Sequence, residues 1–549
     1  MADGSGTKMS ARVSPPTKLW MWVYLWLPAV VAAGLVAYAT RLGPAVNSDS
    51  VEFIVAAKTF ANAGGLGLPT ASGGFMPLRL HPPLLPLVLA AAEWIGVDAV
   101  AAARGLNIGL FAISALLVGY VFFQATGLRT PSMMIGLLFA SSTPLINVSA
   151  SALSEPLFLA LGIAAMALLA IPSGSGPRWR PYAAAFLVGL SVLTRFPGVA
   201  LAGALALFVG SFRTGAFRWR IGDSLTFLVI ALWPVALWIA YLRFGQGGAF
   251  PRSLSLNLEG LWSALTPFRI ALVDQTWRWF QLEGLLPEVA YRPRLWILGT
   301  GGAVGLVAVA ISWARRDDRV RWWRDPSVRL LSLLLMSAGA FAVFMAIAFG
   351  LGRPSPDLDE RTFGPYLLAL SGGSLVALNS LFVPLLDRRM RTFLLTVLTA
   401  SFILIQTPPM LQAVETQHKD GRGYTDARWR SSGVIDGLKR LSSTTPLISN
   451  DSAAILFLAG RPAYDIPELQ TGERAPDLSA PFGSGSRRAE RAFREEGGVL
   501  VLFDKVLFQL EAVYGENASR RLAGLTDGLE VLADYWDGTI YRFPTRPRD

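Results

Sequence analysis

Apolar runs close to twenty residues long recur along this 549-residue chain. A helix of that length crosses the ~30 Å hydrocarbon core of a bilayer at about 1.5 Å per residue, so the pattern reads as a polytopic membrane protein. The composition agrees. Hydrophobic residues make up 52% of the chain and charged residues only 16%, against roughly a quarter charged in soluble proteins. The runs lie at approximately 19–40, 103–124, 131–152, 154–171, 181–195, 197–212, 223–243, 294–314, 328–350, 362–384 and 391–409, which predicts about eleven spans. The stretch Pro82 to Ile95 is apolar but only about 14 residues long, and it reads as a juxtamembrane helix.

Charge gives the orientation. Residues 411–549 hold 18 Lys and Arg against 20 Asp and Glu, while residues 1–410 hold 31 against 18, so the excess of the membrane part is +13. That excess concentrates in short loops: Arg178-Trp179-Arg180, Arg218-Trp219-Arg220, Arg321-Trp322-Trp323-Arg324 and Asp387-Arg388-Arg389-Met390-Arg391. Arginine beside tryptophan suits the headgroup zone, and basic loops stay in the cytoplasm. With eleven spans and an inside N-terminus all four loops fall inside, and only Trp277-Arg278-Trp279 falls outside. The run from Leu19 is too long for the apolar segment of a cleaved signal and reads as an uncleaved first helix. Nucleic-acid binding is the weaker account of the basic excess, because it needs the positive charge gathered on one soluble face.

Residue counts exclude whole classes of chemistry. The chain has no cysteine, which removes disulfide frameworks, thiolate nucleophiles and zinc–cysteine sites. Its two histidines, His81 and His418, exclude a multi-histidine metal cluster. The predicted organisation is a cytoplasmic tail (1–18), a transmembrane domain (19–410) with a large first outer loop (41–102), and a small outer α/β domain (411–549). In that last part Pro446 to Asn450 and Gly498 to Asp504 read as strands, the second of the continuous apolar kind found in buried parallel sheets. Asp451 to Leu458 and Lys505 to Val513 read as helices. Tyr535 to Phe543 reads as a hairpin with Asp537-Gly538 as its turn.

Chemistry is sought where charges interrupt apolar runs on the outer side, because burying them is costly. Asp49 follows the first span, in Val46-Asn47-Ser48-Asp49-Ser50; Ser48, Asp49 or Ser50 would cap a helix starting near Val51. His81 heads His81-Pro82-Pro83-Leu84, with proline preset for a first helical turn. Glu155, in Ser154-Glu155-Pro156-Leu157-Phe158, either caps the next helix or faces an aqueous cavity. Arg195 interrupts Leu193-Thr194-Arg195-Phe196-Pro197-Gly198, and either it or His81 is expected to join Arg361 in contacting a lipid phosphate, since basic groups at that boundary need a partner. Arg361 opens a span from the outer side, where it either grips a phosphate through a bidentate fork or pairs with Asp357, Asp359 or Glu360.

The order and spacing of these motifs resemble the GT-C superfamily of membrane glycosyltransferases, in the branch of bacterial relatives of dolichyl-phosphate-mannose protein mannosyltransferases and lipid A aminoarabinose transferases. Asp49 before an Ala-rich amphipathic helix and Gly64-Gly65 carries the resemblance, with the His81, Glu155 and Arg195 motifs. Gly423-Tyr424, Trp429, Ser449-Asn450-Asp451 and Gly460-Arg461-Pro462-Ala463 extend it into the outer domain. The resemblance implies a mainly α GT-C fold in a bacterial inner membrane. It also implies inverting transfer of a sugar from a polyprenyl-phosphate carrier to a lipid, glycan or protein acceptor. It gives Asp49 the part of general base, makes Glu155 a cavity carboxylate that positions acceptor or base, and sets His81 near the donor phosphate. Relatives often have Lys at the position of His81. Those closest to the eukaryotic protein mannosyltransferases have Asp-Glu where Asp49 is followed by Ser50, which argues against protein O-mannosylation. Arginine suffices to meet a departing phosphate, so no metal is needed; some relatives use one, and Asp49 with Glu155 would supply two ligands. The rival readings are a transporter or flippase of lipid-linked saccharides, for which inverted repeats and mid-membrane charges would be expected, and a catalytically idle scaffold carrying the outer domain as a binding module.

Overall fold

The computed structural model describes residues 18–63, 65–170, 179–213, 216–245, 253–254, 258–280, 282, 289–296, 325–353, 358–383, 385–466, 468–469, 491 and 496–543. The helix α1 (Lys18–Ala39) leads into the first loop, which holds α2 (Ser48–Ala63), the hairpin β1 (Gly67–Pro69) and β2 (Phe75–Pro77), and α3 (Leu84–Trp94). Eleven residues give α3 a length of about 16 Å, half of what a span needs. The bundle continues with α4 (Ala99–Thr126), α5 (Arg129–Ala140), α6 (Thr143–Ser149), α7 (Glu155–Ala170), α8 (Arg180–Thr194), α9 (Gly198–Phe212) and α10 (Phe217–Ala240), the last ending in a π turn (Tyr241–Gly245). After β3 (Ser253–Leu254) come α11 (Leu258–Trp279), α12 (Pro326–Leu351), β4 (Gly352–Arg353), α13 (Glu360–Phe382) and α14 (Arg388–Asp420).

By length and apolar character, five of the described helices can cross a membrane: α4, α10 with its π turn, α12, α13 and α14. The pair α5–α6 makes a sixth, bent by 59° at Ser141-Ser142. That bend is a difference from the continuous run expected over 131–152; Pro144 at the start of α6 cannot donate to the preceding turn. Shorter apolar helices form from α1, α3, α7, α8 and α9. The chain is thus a multi-pass membrane protein, and against the expected eleven spans the described residues hold five helices, or six with the bent pair, that qualify by length and composition. The expected span over 294–314 lies almost wholly outside the described residues, as do Arg321 to Arg324.

Two expectations are corrected. The segment between the expected spans 223–243 and 294–314, which that topology leaves as an outer loop, contains the 22-residue α11, which packs against α12 and α13. Its residues Trp277 and Trp279 are buried in the protein, so Trp277-Arg278-Trp279 is no headgroup anchor, whereas Trp179 and Trp219 beside the basic loops are exposed. The outer domain was expected from residue 411, but α14 runs unbroken to Asp420 and stops at Gly421 with φ +79°.

The C-terminal part folds around a five-stranded sheet in the order β6-β5-β7-β9-β8. Here β5 (Leu447–Ser449) pairs in parallel with β6 (Tyr464–Asp465) and β7 (Val499–Phe503); β9 (Gly538–Arg542) is antiparallel to both β7 and β8 (Glu530–Tyr535). The helices α15 (Gly433–Arg440), α16 (Ser452–Ala459), α17 (Val506–Tyr514) and α18 (Ala518–Thr526) flank it. The expected strand at 498–504 is the fully buried β7, which is bordered by one parallel and one antiparallel neighbour. A single apolar core joins the first loop to this domain: Val46, Val51, Phe53 and Ile54 pack with Leu85, Leu89, Tyr424 and Ala454.

Candidate functional site

Asp49 occupies the first turn of α2, and it is not the cap. The helix begins at Ser48, three residues earlier than expected, and Asn47 does the capping: its Oδ1 accepts from the Ser50 N–H at 3.0 Å and from the Ser50 hydroxyl at 2.9 Å. The Asp49 carboxylate is therefore left for other partners. Glu155 starts α7 and is buried. Arg195 stands in extended conformation at the end of α8, where Pro197 and Gly198 turn the chain into α9. Gly198 is required there, since a Cβ would press on the Val192 backbone. Arg361 lies in the first turn of α13, capped by Asp359, which accepts from the Thr362 N–H at 2.8 Å. Asp359 therefore acts as a cap; Asp357 is outside the described residues.

These five side chains, separated by up to 312 positions in sequence, meet in one chain of contacts. Arg361 Nη2 donates to Asp49 Oδ2 at 2.5 Å and Arg361 Nε lies 2.8 Å from Glu155 Oε1. The same Glu155 oxygen pairs with Arg195 Nη1. At the other end His81 Nε2 is 3.8 Å from Asp49 Oδ1 and 3.5 Å from Glu52 Oε2, its ring edge-on to Phe53. Glu52 was not anticipated; its only sequence signal is its place one turn after Asp49 on the same helix face. The field of the cluster acts on both acids of α2. Burial raises the Asp49 pKa, but His81 and Arg361 outweigh it and hold the carboxyl below its ordinary value. Burial, Asp49 and Asp465 of β6 push the Glu52 pKa up to about 7.

The backbone fixes the cluster from behind. Ala45 pairs with Ser151 and Val46 with Gly423, so the strand-like segment before Asp49 lies between the segment before Glu155 and the start of the C-terminal domain. The Ala45 N–H donates to Ala150 O and the Ala152 N–H to Ala45 O, both at 2.8 Å; the Tyr424 N–H donates to Val46 O at 2.7 Å. Gly423 has φ +65°, and a Cβ there would overlap the Val46 carbonyl. Replacing Gly423 by Ala is expected to destabilise the fold by about 2 kcal/mol, the scale of overpacking a tight site, measured as a lower denaturation midpoint in detergent. A midpoint equal to wild type would show the bridge to be dispensable.

Next to the ion pairs, Glu155, Arg195 and Arg361 line a small pocket. It shares Leu145, Phe158, Leu159, Trp279, Phe341 and Pro365 with an apolar cavity of about 450 Å³ among the helices. Among the described residues no three His, Asp or Glu side chains are grouped as metal ligands. The two carboxylates expected to supply ligands, Asp49 and Glu155, are both engaged by Arg361, an arrangement that fits a guanidinium bridge better than a metal.

No family model and no curated protein matches the sequence. Solved structures do match in fold. The oligosaccharyltransferase of Archaeoglobus fulgidus, tethered to an acceptor peptide containing the NVT sequon, superposes with a TM-score of 0.51 at 14% identity, over 96% of this chain and 74% of that one. The archaeal oligosaccharyltransferase AglB from the same organism, in complex with an inhibitory peptide and a dolichol-phosphate, gives 0.50 at 13% identity, over 92% and 72%. The chain has the GT-C fold. A further match, ArnT from Cupriavidus metallidurans in the apo state, has a TM-score of 0.49 at 14% identity, over 95% and 98%. The first loop and its α2 lie against the helical bundle, with the C-terminal domain packed on them through the Val46–Gly423 bridge.

Proposed function

We propose that this GT-C protein is an inverting glycosyltransferase that moves a sugar from a polyprenyl-phosphate carrier to an acceptor at the outer face of a bacterial inner membrane. The observation that carries the reading is the junction of opposite chemistries at Arg361. Two guanidinium groups, Arg361 and Arg195, line a small pocket that shares six lining residues with an apolar cavity of about 450 Å³, and the acid Asp49 pairs with Arg361. A lipid phosphate has matching parts: a chain for the apolar space and an anion for the arginines. The dolichol-phosphate bound by AglB supports the same ligand class.

In this reading Asp49 takes the proton of an acceptor hydroxyl through Oδ1, the oxygen not held by Arg361. The acceptor oxygen attacks the anomeric carbon from the face opposite the phosphate, and the carbon–oxygen bond to phosphate breaks with its electron pair leaving on phosphate. Arg361 and Arg195 meet that charge. Glu155 holds the two arginines in register. His81 lies at the opposite end of the contact chain from Arg195, so the second donor contact falls to Arg195 rather than to His81. Eleven spans and an external C-terminal domain complete the proposal, supported by the exposed Trp179 and Trp219 beside basic loops.

The test is transfer from a synthetic polyprenyl-phosphate sugar by purified protein in detergent, with donor affinity measured in parallel. Arg361→Ala is expected to weaken donor binding by about tenfold to a hundredfold, the scale of a lost charged hydrogen bond. Arg361→Lys should lose less, because it keeps the charge without the fork. Equal affinity in Arg361→Ala and wild type removes Arg361 from the donor site. Absence of transfer from every such donor rejects the function.

A further inference from the structure

We propose that Glu52 is a further residue of this reaction, receiving through His81 the proton that Asp49 takes from the acceptor. The inference rests on the reading of Asp49 as the base.

Each turnover would leave Asp49 protonated, and the next cannot begin until that proton is gone. Asp49 Oδ2 faces Arg361, a group with five donors and no acceptor, so the proton cannot leave that way. Oδ1 faces His81 Nε2 at 3.8 Å, and the same nitrogen lies 3.5 Å from Glu52 Oε2. One imidazole nitrogen thus stands between two carboxylates that project from adjacent turns of α2. Both gaps exceed a hydrogen bond, and a small ring rotation or one bridging water closes either. The Phe53 ring, edge-on to the imidazole with centroids 4.7 Å apart, limits how far it can swing.

The steps balance. The Nε2–H bond of the charged His81 breaks as its proton bonds to Glu52, leaving a lone pair on Nε2. The Oδ1–H bond of Asp49 then breaks as its proton bonds to that lone pair, restoring the imidazolium and an ionised Asp49. Nothing is oxidised or reduced. Glu52 is suited to accept. The charged groups facing it are Asp49 on its own helix, His81 from the loop before α3, and Asp465 on β6, whose carboxylate accepts from the Ser452 hydroxyl. Two neighbouring acids and burial raise its proton affinity into the neutral range, while Asp49 stays the weaker proton holder. The proton therefore runs from Asp49 toward Glu52, and the Glu52 side chain, 27% exposed, reaches solvent.

The experiment is a pH profile of kcat from pH 5 to 9 with the full-length protein in detergent and a synthetic polyprenyl-phosphate sugar. Wild type should show a limb rising through about pH 7, as Glu52 ionises and becomes able to accept. In Glu52→Gln that limb should disappear and kcat should fall by about tenfold or more, at the low end of the range for general acid–base groups, with KM for the donor unchanged. Millimolar imidazole should restore part of the rate. A Glu52 that only holds His81 in place would give Glu52→Gln an unaltered limb and no rescue, and that result overturns the proposal. If Glu52→Gln fails to fold, Glu52→Asp serves: a displaced limb supports the relay and an unmoved one rejects it. Asp49→Asn in the same assay separates the two claims. Normal turnover there removes the base itself, whereas an inactive Asp49→Asn beside an unchanged Glu52→Gln profile removes the relay alone.

Discussion

Asp49→Asn is expected to fold like wild type and to turn over roughly 10²–10⁴-fold more slowly, the usual scale for losing a general base. The substitution is clean because the helix start does not depend on it. Asn47, not Asp49, accepts from the Ser50 N–H, so α2 keeps its cap. Arg361 keeps Glu155 as a partner when the Asp49 charge is gone, and Asn is isosteric with Asp. What remains is the interaction of one carboxylate with a helix N-terminus, about 0.3–1 kcal/mol, too little to unfold a chain of this size. Thermal stability and transfer are to be measured on the same preparation. A stable Asp49→Asn protein with near-normal turnover would end the assignment and shift attention to Glu52, the other acid on that helix face.

The residues that sequence reasoning could reach are those that break a hydrophobic run. Asp49, Glu155, Arg195 and Arg361 each stand where apolar residues stop, and an ionisable group at a membrane boundary is costly enough to single out. That the four meet is a tertiary fact: residues 49, 155, 195 and 361 come from four helix ends brought to one spot. Glu52 escaped because it lies inside an amphipathic helix, where a carboxylate reads as the solvated face; its environment comes from His81 and from Asp465, 413 residues away. The Asn47 cap was missed by one residue, within the usual uncertainty of helix ends. The helix α11 was read as loop because Glu259, Arg269, Asp274 and Arg278, with Pro267, dilute its apolar face, and packing on α12 and α13 rather than hydropathy makes it helical. The strands β5 and β7 were legible because short unbroken apolar runs fit buried strands. β6, two residues long, left no pattern to read.

Glu155→Gln is expected to cost about 3–5 kcal/mol of stability, the scale for breaking a buried ion pair from one side. Glu155 is 4% exposed and its Oε1 serves both Arg195 and Arg361. Glutamine fills the same volume, so the loss is one of charge: two guanidinium groups would share the site with Asp49 still paired to Arg361. The same reasoning makes a second, opposite effect. A lipid phosphate is an anion that offers those arginines a new partner. Adding polyprenyl phosphate should therefore raise the denaturation midpoint of Glu155→Gln by more than it raises that of wild type, where Glu155 competes for the arginines, while transfer is lost because the arginines are no longer held in register. The measurement is a pair of thermal denaturation curves, with and without the lipid phosphate, on each protein. If Glu155→Gln matches wild type without ligand, the contact with the arginines contributes nothing to the fold. If it is destabilised but gains no extra protection from the lipid phosphate, the arginines are a structural pair, and the donor phosphate must be met elsewhere.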